Sequence, residues 1–131
     1  MIALDTNILA RYLLGDDRAQ MNAARLLLDD ADQECWVPVT VVLELSWVLR
    51  KSAAPREVIL EKMRELLSLR NVRAQSADLV FQALRWAVQG MDFADALHLA
   101  LSGKAERFVT FDKDLVKQTR KIGVNPVAVT P

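Results

Sequence analysis

The strongest constraint on the fold is a regular alternation of short apolar runs with longer segments of helical periodicity. Such alternation predicts βαβ units and a mainly parallel sheet with helices on both faces. We therefore predict an α/β protein whose central sheet has four to five short strands. The predicted strands are residues 1–4, 36–39, 72–74, 107–111 and 127–129, and the first is expected to be buried.

Seven helices are predicted between these runs, and glycines or capping residues mark several of their ends. Gly15, Gly90 and Gly123 are predicted to end three of them, and Thr40 and Ser76 are predicted to cap two more. A helix also begins at Pro55, a residue favoured in the first turn. The other predicted bounds are residues 7–14, 18–31, 40–51, 93–104 and 112–123.

Length and composition predict one cytoplasmic domain, residues 1–131. The chain length is typical of a single domain, and an apolar content of 52% is too high for a disordered chain. The single cysteine, Cys35, excludes an internal disulfide and suggests a reducing compartment. We expect no membrane span, because no apolar stretch approaches about 20 residues, and no secretory signal, because no basic region follows Met1.

The charge balance does not by itself indicate nucleic acid as a partner. There are 17 basic and 17 acidic residues, so the formal net charge is zero. Acids that are held in a metal site would leave the remaining surface positively charged, which permits an anionic partner without predicting one.

Two acids directly follow predicted strands, at the sheet edge where ligands bind in open parallel sheets. These are Asp5 and Asp112, and either alone could be only a helix N-cap. Asp92 and Asp95 lie at the start of a later helix. An N-cap and a favourable helix dipole explain both of them without any chemistry.

Glu44 is different, because its neighbours three and four positions away are mostly apolar. This pattern predicts that Glu44 faces the interior, where a carboxylate must be paired, protonated or bound to metal. A buried salt bridge to an arginine or lysine remains the alternative.

Four acids from distant parts of the chain are more informative together than singly. If Asp5, Glu44, Asp95 and Asp112 converge, each pair at 4 Å repels by about 4 kcal/mol at an effective dielectric of 20, so a cation is required. Oxygen ligands favour Mg²⁺ or Mn²⁺, and Cys35 and His98 offer no zinc spacing. A carboxylate-held Mg²⁺ ion is suited to phosphate chemistry.

Four segments, in order, resemble the motifs of PIN-domain ribonucleases, and most closely those of VapC-type toxins of type II toxin–antitoxin modules. The segments are LDTNIL at residues 4–9, VLEL at 42–45, DFADALHLA at 92–100 and FVTFDKDL at 108–115.

The resemblance implies a Mg²⁺- or Mn²⁺-dependent endoribonuclease that hydrolyses RNA with metal-activated water. Asp5 and Asp95 would be the principal metal ligands, and Glu44 and Asp112 would complete the acidic pocket. Asn7 would orient the Asp5 carboxylate or a bound water, and Asp114 is an alternative to Asp112. The residues expected to support the ligands or orient substrate are Thr6, Asn7, Asp92, Thr110 and Asp114.

The resemblance also implies partners, namely an RNA substrate, a cognate antitoxin and a second copy of the chain in a homodimer. The apolar faces of the second and fourth helices are candidates for the antitoxin contact, although a buried core explains most of those residues.

Two alternatives remain open, and two others lack a residue that they require. The chain could be a PIN-domain RNA-processing nuclease without an antitoxin, or a catalytically silent PIN module. A haloacid-dehalogenase-type phosphatase would need an aspartate where Asn7 stands. A receiver domain would need adjacent acids after the first strand, but Asp5 stands alone there.

Overall fold

The computed structural model describes all 131 residues, which form two compact units. The N-terminal unit is Met1–Ala77 and the C-terminal unit is Asp78–Pro131. None of the helices combines the length and apolar character needed to cross a membrane.

The N-terminal unit contains a three-stranded parallel sheet in the order β1-β2-β3, with Ile2 opposite Cys35 and Cys35 opposite Val72. Helix α1 packs against both α2 and α3, and α4 packs against α3 and β3. The elements of this unit are β1 (Ile2–Ala3), α1 (Thr6–Leu14), α2 (Arg18–Leu28), β2 (Cys35–Val37), α3 (Val39–Arg50), α4 (Arg56–Leu67) and β3 (Val72–Ala74).

A buried amide stabilises the connection into the middle strand of this sheet. The Asn71 side chain is 6% exposed, and its nitrogen donates to the carbonyl oxygens of Leu28, Asp30 and Gln33. These bonds attach the loop between α2 and β2 to the residue that precedes β3. The amino ends of the parallel strands β2 and β3 are thereby held together.

The C-terminal unit contains a two-stranded parallel sheet, in which Phe108 of β4 lies opposite Ala128 of β5. The buried hydroxyl of Thr119 donates to the Val116 carbonyl and accepts from the Ala128 amide, so it fastens α7 to β5. The elements of this unit are α5 (Ala77–Val88), which begins at the last residue of the first unit, α6 (Phe93–Ala100), β4 (Phe108–Val109), α7 (Lys113–Ile122) and β5 (Ala128–Val129).

The predicted α/β class, the seven helices, the five short strands and the parallel pairing are confirmed. The strands form a three-stranded and a two-stranded sheet where one sheet of four to five strands was predicted. Helix α2 ends at Leu28 and not at Ala31. The next residues include Asp29, Asp30 and Asp32. Because negative charge is unfavourable at the C-terminal end of a helix, these acids disfavour a longer α2.

Three local predictions are wrong. The first strand is not buried, since Ile2 and Ala3 are exposed on the end strand of their sheet and burial begins at Leu4. Thr40 does not cap α3; Pro38 is the N-cap, and the Val39 amide donates to Oε1 of Gln75.

The third wrong prediction concerns Ser76. This residue precedes α5 as expected, but its φ is 50°, whereas an N-cap residue has an extended backbone.

Candidate active site

Asp5 lies just beyond β1, at the N-cap position of α1. Its backbone is extended, with φ −81° and ψ 159°, and its carbonyl accepts from the Ile8 amide. Its side chain, however, accepts no capping hydrogen bond and is exposed. The N-cap alternative therefore explains the backbone conformation of Asp5, but it does not explain why a carboxylate is present there.

Thr6 and Glu44 connect α1 to α3. Thr6 is almost completely buried, at 2% exposure, and its hydroxyl donates to Oε1 of Glu44. Because Thr6 follows Asp5 directly, this bond fixes a second carboxylate close to the start of α1. The remaining oxygen of Glu44, Oε2, is left for another partner.

The prediction that Glu44 faces the interior is wrong, because its side chain is exposed. The buried face of α3 consists of Val42, Leu45, Ser46 and Leu49. These residues are spaced three and four apart, and Glu44 lies on the other side of the helix. The buried salt bridge to an arginine or lysine is excluded for the same reason, and the bonded partner of Glu44 is the neutral hydroxyl of Thr6.

Asn7 is exposed and lines a cavity of about 320 Å³ between α1 and α2, together with Arg11 and Gln20. The charge in this cavity is already neutralised, since the Arg11 guanidinium donates to Asp16 at 2.6 and 2.7 Å and to Gln20 at 2.8 Å. The hydrogen bond from Arg11 lowers the pKa of the Asp16 carboxyl. Among the residues that line the cavity, Asn7 is the nearest to Asp5 in the sequence.

In the C-terminal unit, Asp92 is the N-cap of α6 and its carboxylate accepts from the Asp95 amide at 3.2 Å. This confirms the capping interpretation of Asp92. Asp95 lies in the first turn of the same helix and is partly exposed. The helix dipole favours an acid at this position.

Asp112 caps α7 with its side chain. Its Oδ1 accepts from the amides of Asp114 and Leu115 at 3.0 and 3.1 Å, and its own amide donates to the Thr110 hydroxyl at 3.0 Å. The N-cap interpretation therefore holds for Asp112, and Oδ2 is the oxygen that capping does not use. Asp114 is exposed in the first turn of α7.

Each unit thus assembles part of the predicted set. The N-terminal unit brings Asp5, Thr6 and Glu44 together, and the C-terminal unit holds two acidic helix starts, one at Asp92 and one at Asp112. Neither unit contains a group of three or more His, Cys, Asp or Glu side chains that could hold a metal ion. The four-acid cluster therefore stays a prediction.

The chain belongs to the PIN domain family, since the family model for the PIN domain matches residues 2–121. The match spans parts of both units and includes all four predicted acids. No curated protein matches the chain. PIN domains are generally metal-dependent nucleases that act on RNA, so membership of the family indicates a nuclease-type function for this chain.

Proposed function

We propose that the chain is a Mg²⁺- or Mn²⁺-dependent endoribonuclease with Asp5, Glu44, Asp95 and Asp112 in its acidic pocket. The observation that carries the proposal is the Asp5 carboxylate, which stands at a helix N-cap without capping it. A carboxylate that makes no structural contribution of this kind is available to a ligand. The adjacent Thr6–Glu44 bond supports a second acid beside it.

The donor chemistry of this pair suits a hard divalent cation. Asp5 offers two carboxylate oxygens, and Glu44 offers Oε2 while Thr6 occupies Oε1. Oxygen-only sets of this kind bind Mg²⁺ and Mn²⁺. When bound, such an ion supplies an activated water and stabilises charge on the scissile phosphate.

The residues divide into two groups by what they do. In this proposal Asp5 and Asp95 would hold the ion, and Glu44 and Asp112 would complete the pocket. Oδ2 is the oxygen of Asp112 that remains for this role, because Oδ1 caps α7. The positioning residues are those that orient the acids or the substrate. They are Thr6 at Glu44, Asn7 beside Asp5, Asp92 at the start of α6, and Thr110 and Asp114 beside Asp112.

We further propose that the chain is the toxin of a type II toxin–antitoxin module, that it dimerises and that it acts in the cytoplasm. The support is the order of the four VapC-like motifs. Production of the wild-type chain in a bacterial host should arrest growth. Asp5→Asn should not arrest it, and growth arrest by both forms alike would contradict a toxin role that depends on cleavage.

The nuclease proposal is tested with purified protein and a fluorescent single-stranded RNA. Cleavage should require Mg²⁺ or Mn²⁺ and stop when EDTA is added. Glu44→Gln and Asp95→Asn should both reduce the metal-dependent rate, whereas Glu57→Gln on the exposed start of α4 should not. Cleavage that continues in EDTA, by protein free of contaminating nuclease, would overturn the proposal.

A further inference from the structure

Helix α7 carries four bases on its exposed face. These residues, which we call the basic stripe, are Lys113, Lys117, Arg120 and Lys121, and all four are exposed. Their spacing places them on one side of the helix, because residues three and four positions apart are neighbours. The opposite side holds the buried Leu115 and Thr119, which pack α7 into its unit.

The basic stripe is a local concentration of charge in a chain whose net charge is zero. None of its four members forms an ion pair, and no acidic residue follows Asp114 in the sequence. The helix dipole favours bases in the last turn, which accounts for Arg120 and Lys121. It does not favour Lys113 at the first helical position, so helix stability leaves part of the stripe unexplained.

An exposed aromatic ring lies at the beginning of the same helix. Phe111 is 86% exposed, the largest value among the exposed large apolar side chains, and it directly precedes the N-cap Asp112. Folding leaves this ring almost fully in water. A free aromatic ring next to a track of positive charge is the combination that binds single-stranded nucleic acids, through base stacking and phosphate contacts.

We propose that α7 binds the backbone of single-stranded RNA along the basic stripe while one base stacks on Phe111. The inference rests on the proposed nuclease function, because it uses Asp112 as the pocket acid between the ring and the stripe. A helix of ten residues is about 15 Å long, so the stripe is long enough to contact several successive phosphates. The enzyme thus selects an unpaired strand, since a base within a duplex is not free to stack on the ring.

The test measures binding of a labelled single-stranded RNA in EDTA, by fluorescence anisotropy over a series of salt concentrations. The variant Lys117→Gln/Arg120→Gln/Lys121→Gln should bind more weakly than wild type. Its slope of log K against log salt should be shallower by about 2, because each phosphate contact to a single strand contributes about 0.7. If the triple variant does not fold, the single variant Lys117→Gln replaces it, and its slope should be shallower by about 0.7.

A matched control removes the same charge from the other unit. Arg18, Lys62 and Arg70 are exposed bases outside the stripe. The variant Arg18→Gln/Lys62→Gln/Arg70→Gln should keep the wild-type slope. Equal slopes in the two triple variants would overturn the inference. If the slopes are equal but the wild type cleaves RNA with Mg²⁺, only the inference about α7 fails and the nuclease proposal stands. If the wild type neither binds nor cleaves RNA, the inference and the nuclease proposal both fail.

Phe111 is tested separately from the charges. Phe111→Ala should weaken binding about tenfold without changing the salt slope, since tenfold corresponds to about 1.4 kcal/mol, a typical loss when one base no longer stacks. Phe111→Trp should restore binding. An unchanged affinity in Phe111→Ala would overturn the stacking contact. Displacement of the RNA by poly-glutamate as effectively as by unlabelled RNA would overturn the RNA assignment in favour of an acidic protein.

Discussion

The hydroxyl of Thr6 donates a hydrogen bond to Oε1 of Glu44 and so joins the first turn of α1 to α3. The two residues are 38 positions apart in the sequence, and Thr6 is the immediate neighbour of Asp5. The bond holds Glu44 in place beside the start of α1, because α1 and α3 also pack against each other. A small displacement of α1 would therefore move both Asp5 and the partner of Glu44.

Thr6→Val keeps the shape of the buried side chain and removes its donor. The free energy of unfolding should fall by only about 1 kcal/mol, because Glu44 is exposed and water can replace the hydroxyl. The kcat of RNA cleavage should fall more than KM changes, since Glu44 loses its fixed orientation. Thr6→Ser should recover most of kcat; a rate equal to wild type in Thr6→Val would show that the bond does not position Glu44.

Alanine substitution should distinguish the two acids that stand at helix N-caps. Asp112→Ala removes a side chain that accepts two backbone hydrogen bonds, so the free energy of unfolding should fall by about 1 kcal/mol. Asp5→Ala removes a carboxylate that caps nothing, and it relieves repulsion from Glu44, so stability in EDTA should hold or rise. Thermal melts in EDTA measure both, and a larger loss in Asp5→Ala would reverse the assignment.

Glu44→Gln should leave the apo protein nearly as stable as wild type. The side chain is exposed, and the amide oxygen still accepts from Thr6, so a change within about 0.5 kcal/mol is expected. Stabilisation of the protein by Mn²⁺ should be weaker in the variant. A loss of about 3–5 kcal/mol, as expected when a buried ion pair is broken, would contradict the exposed position of Glu44.

Much of the fold follows from local signals in the sequence. Gly15 and Gly123 end α1 and α7 in left-handed conformation, with φ of 65° and 79°, as their positions predicted. Asp112 caps α7 as its residue type and position indicate. These features depend only on nearby residues, so no tertiary information is needed to predict them.

The orientation of α3 could not be predicted in the same way. Its sequence is apolar on nearly every side, so periodicity does not identify which side is buried. Packing of α1 and α4 against α3 selects the side that contains Val42 and Leu49, and Glu44 is left exposed. The cap of α3 likewise depends on a distant residue, Gln75, which no local pattern indicates.

Cys35 gives the protein a defined response to alkaline pH. Burial raises the pKa of this thiol above its ordinary value of 9.0, so the folded chain holds the proton more tightly than the unfolded chain. The resulting contribution to stability is complete below pH 9.0 and is lost as pH rises beyond it. The stability difference between wild type and Cys35→Ala should therefore shrink in thermal melts as the pH rises from about 8 to about 10, across the ordinary thiol pKa of 9.0. A constant difference would show that the thiol titrates normally.

The most direct test of the central claim is the Mg²⁺-dependent rate of RNA cleavage by Asp5→Asn, with a thermal melt in EDTA as the control for folding. The account predicts that the variant melts at or above the wild-type temperature and cleaves no faster than wild type does in EDTA. A folded Asp5→Asn protein that cleaves RNA at the wild-type rate would contradict the assignment of Asp5 to the catalytic site.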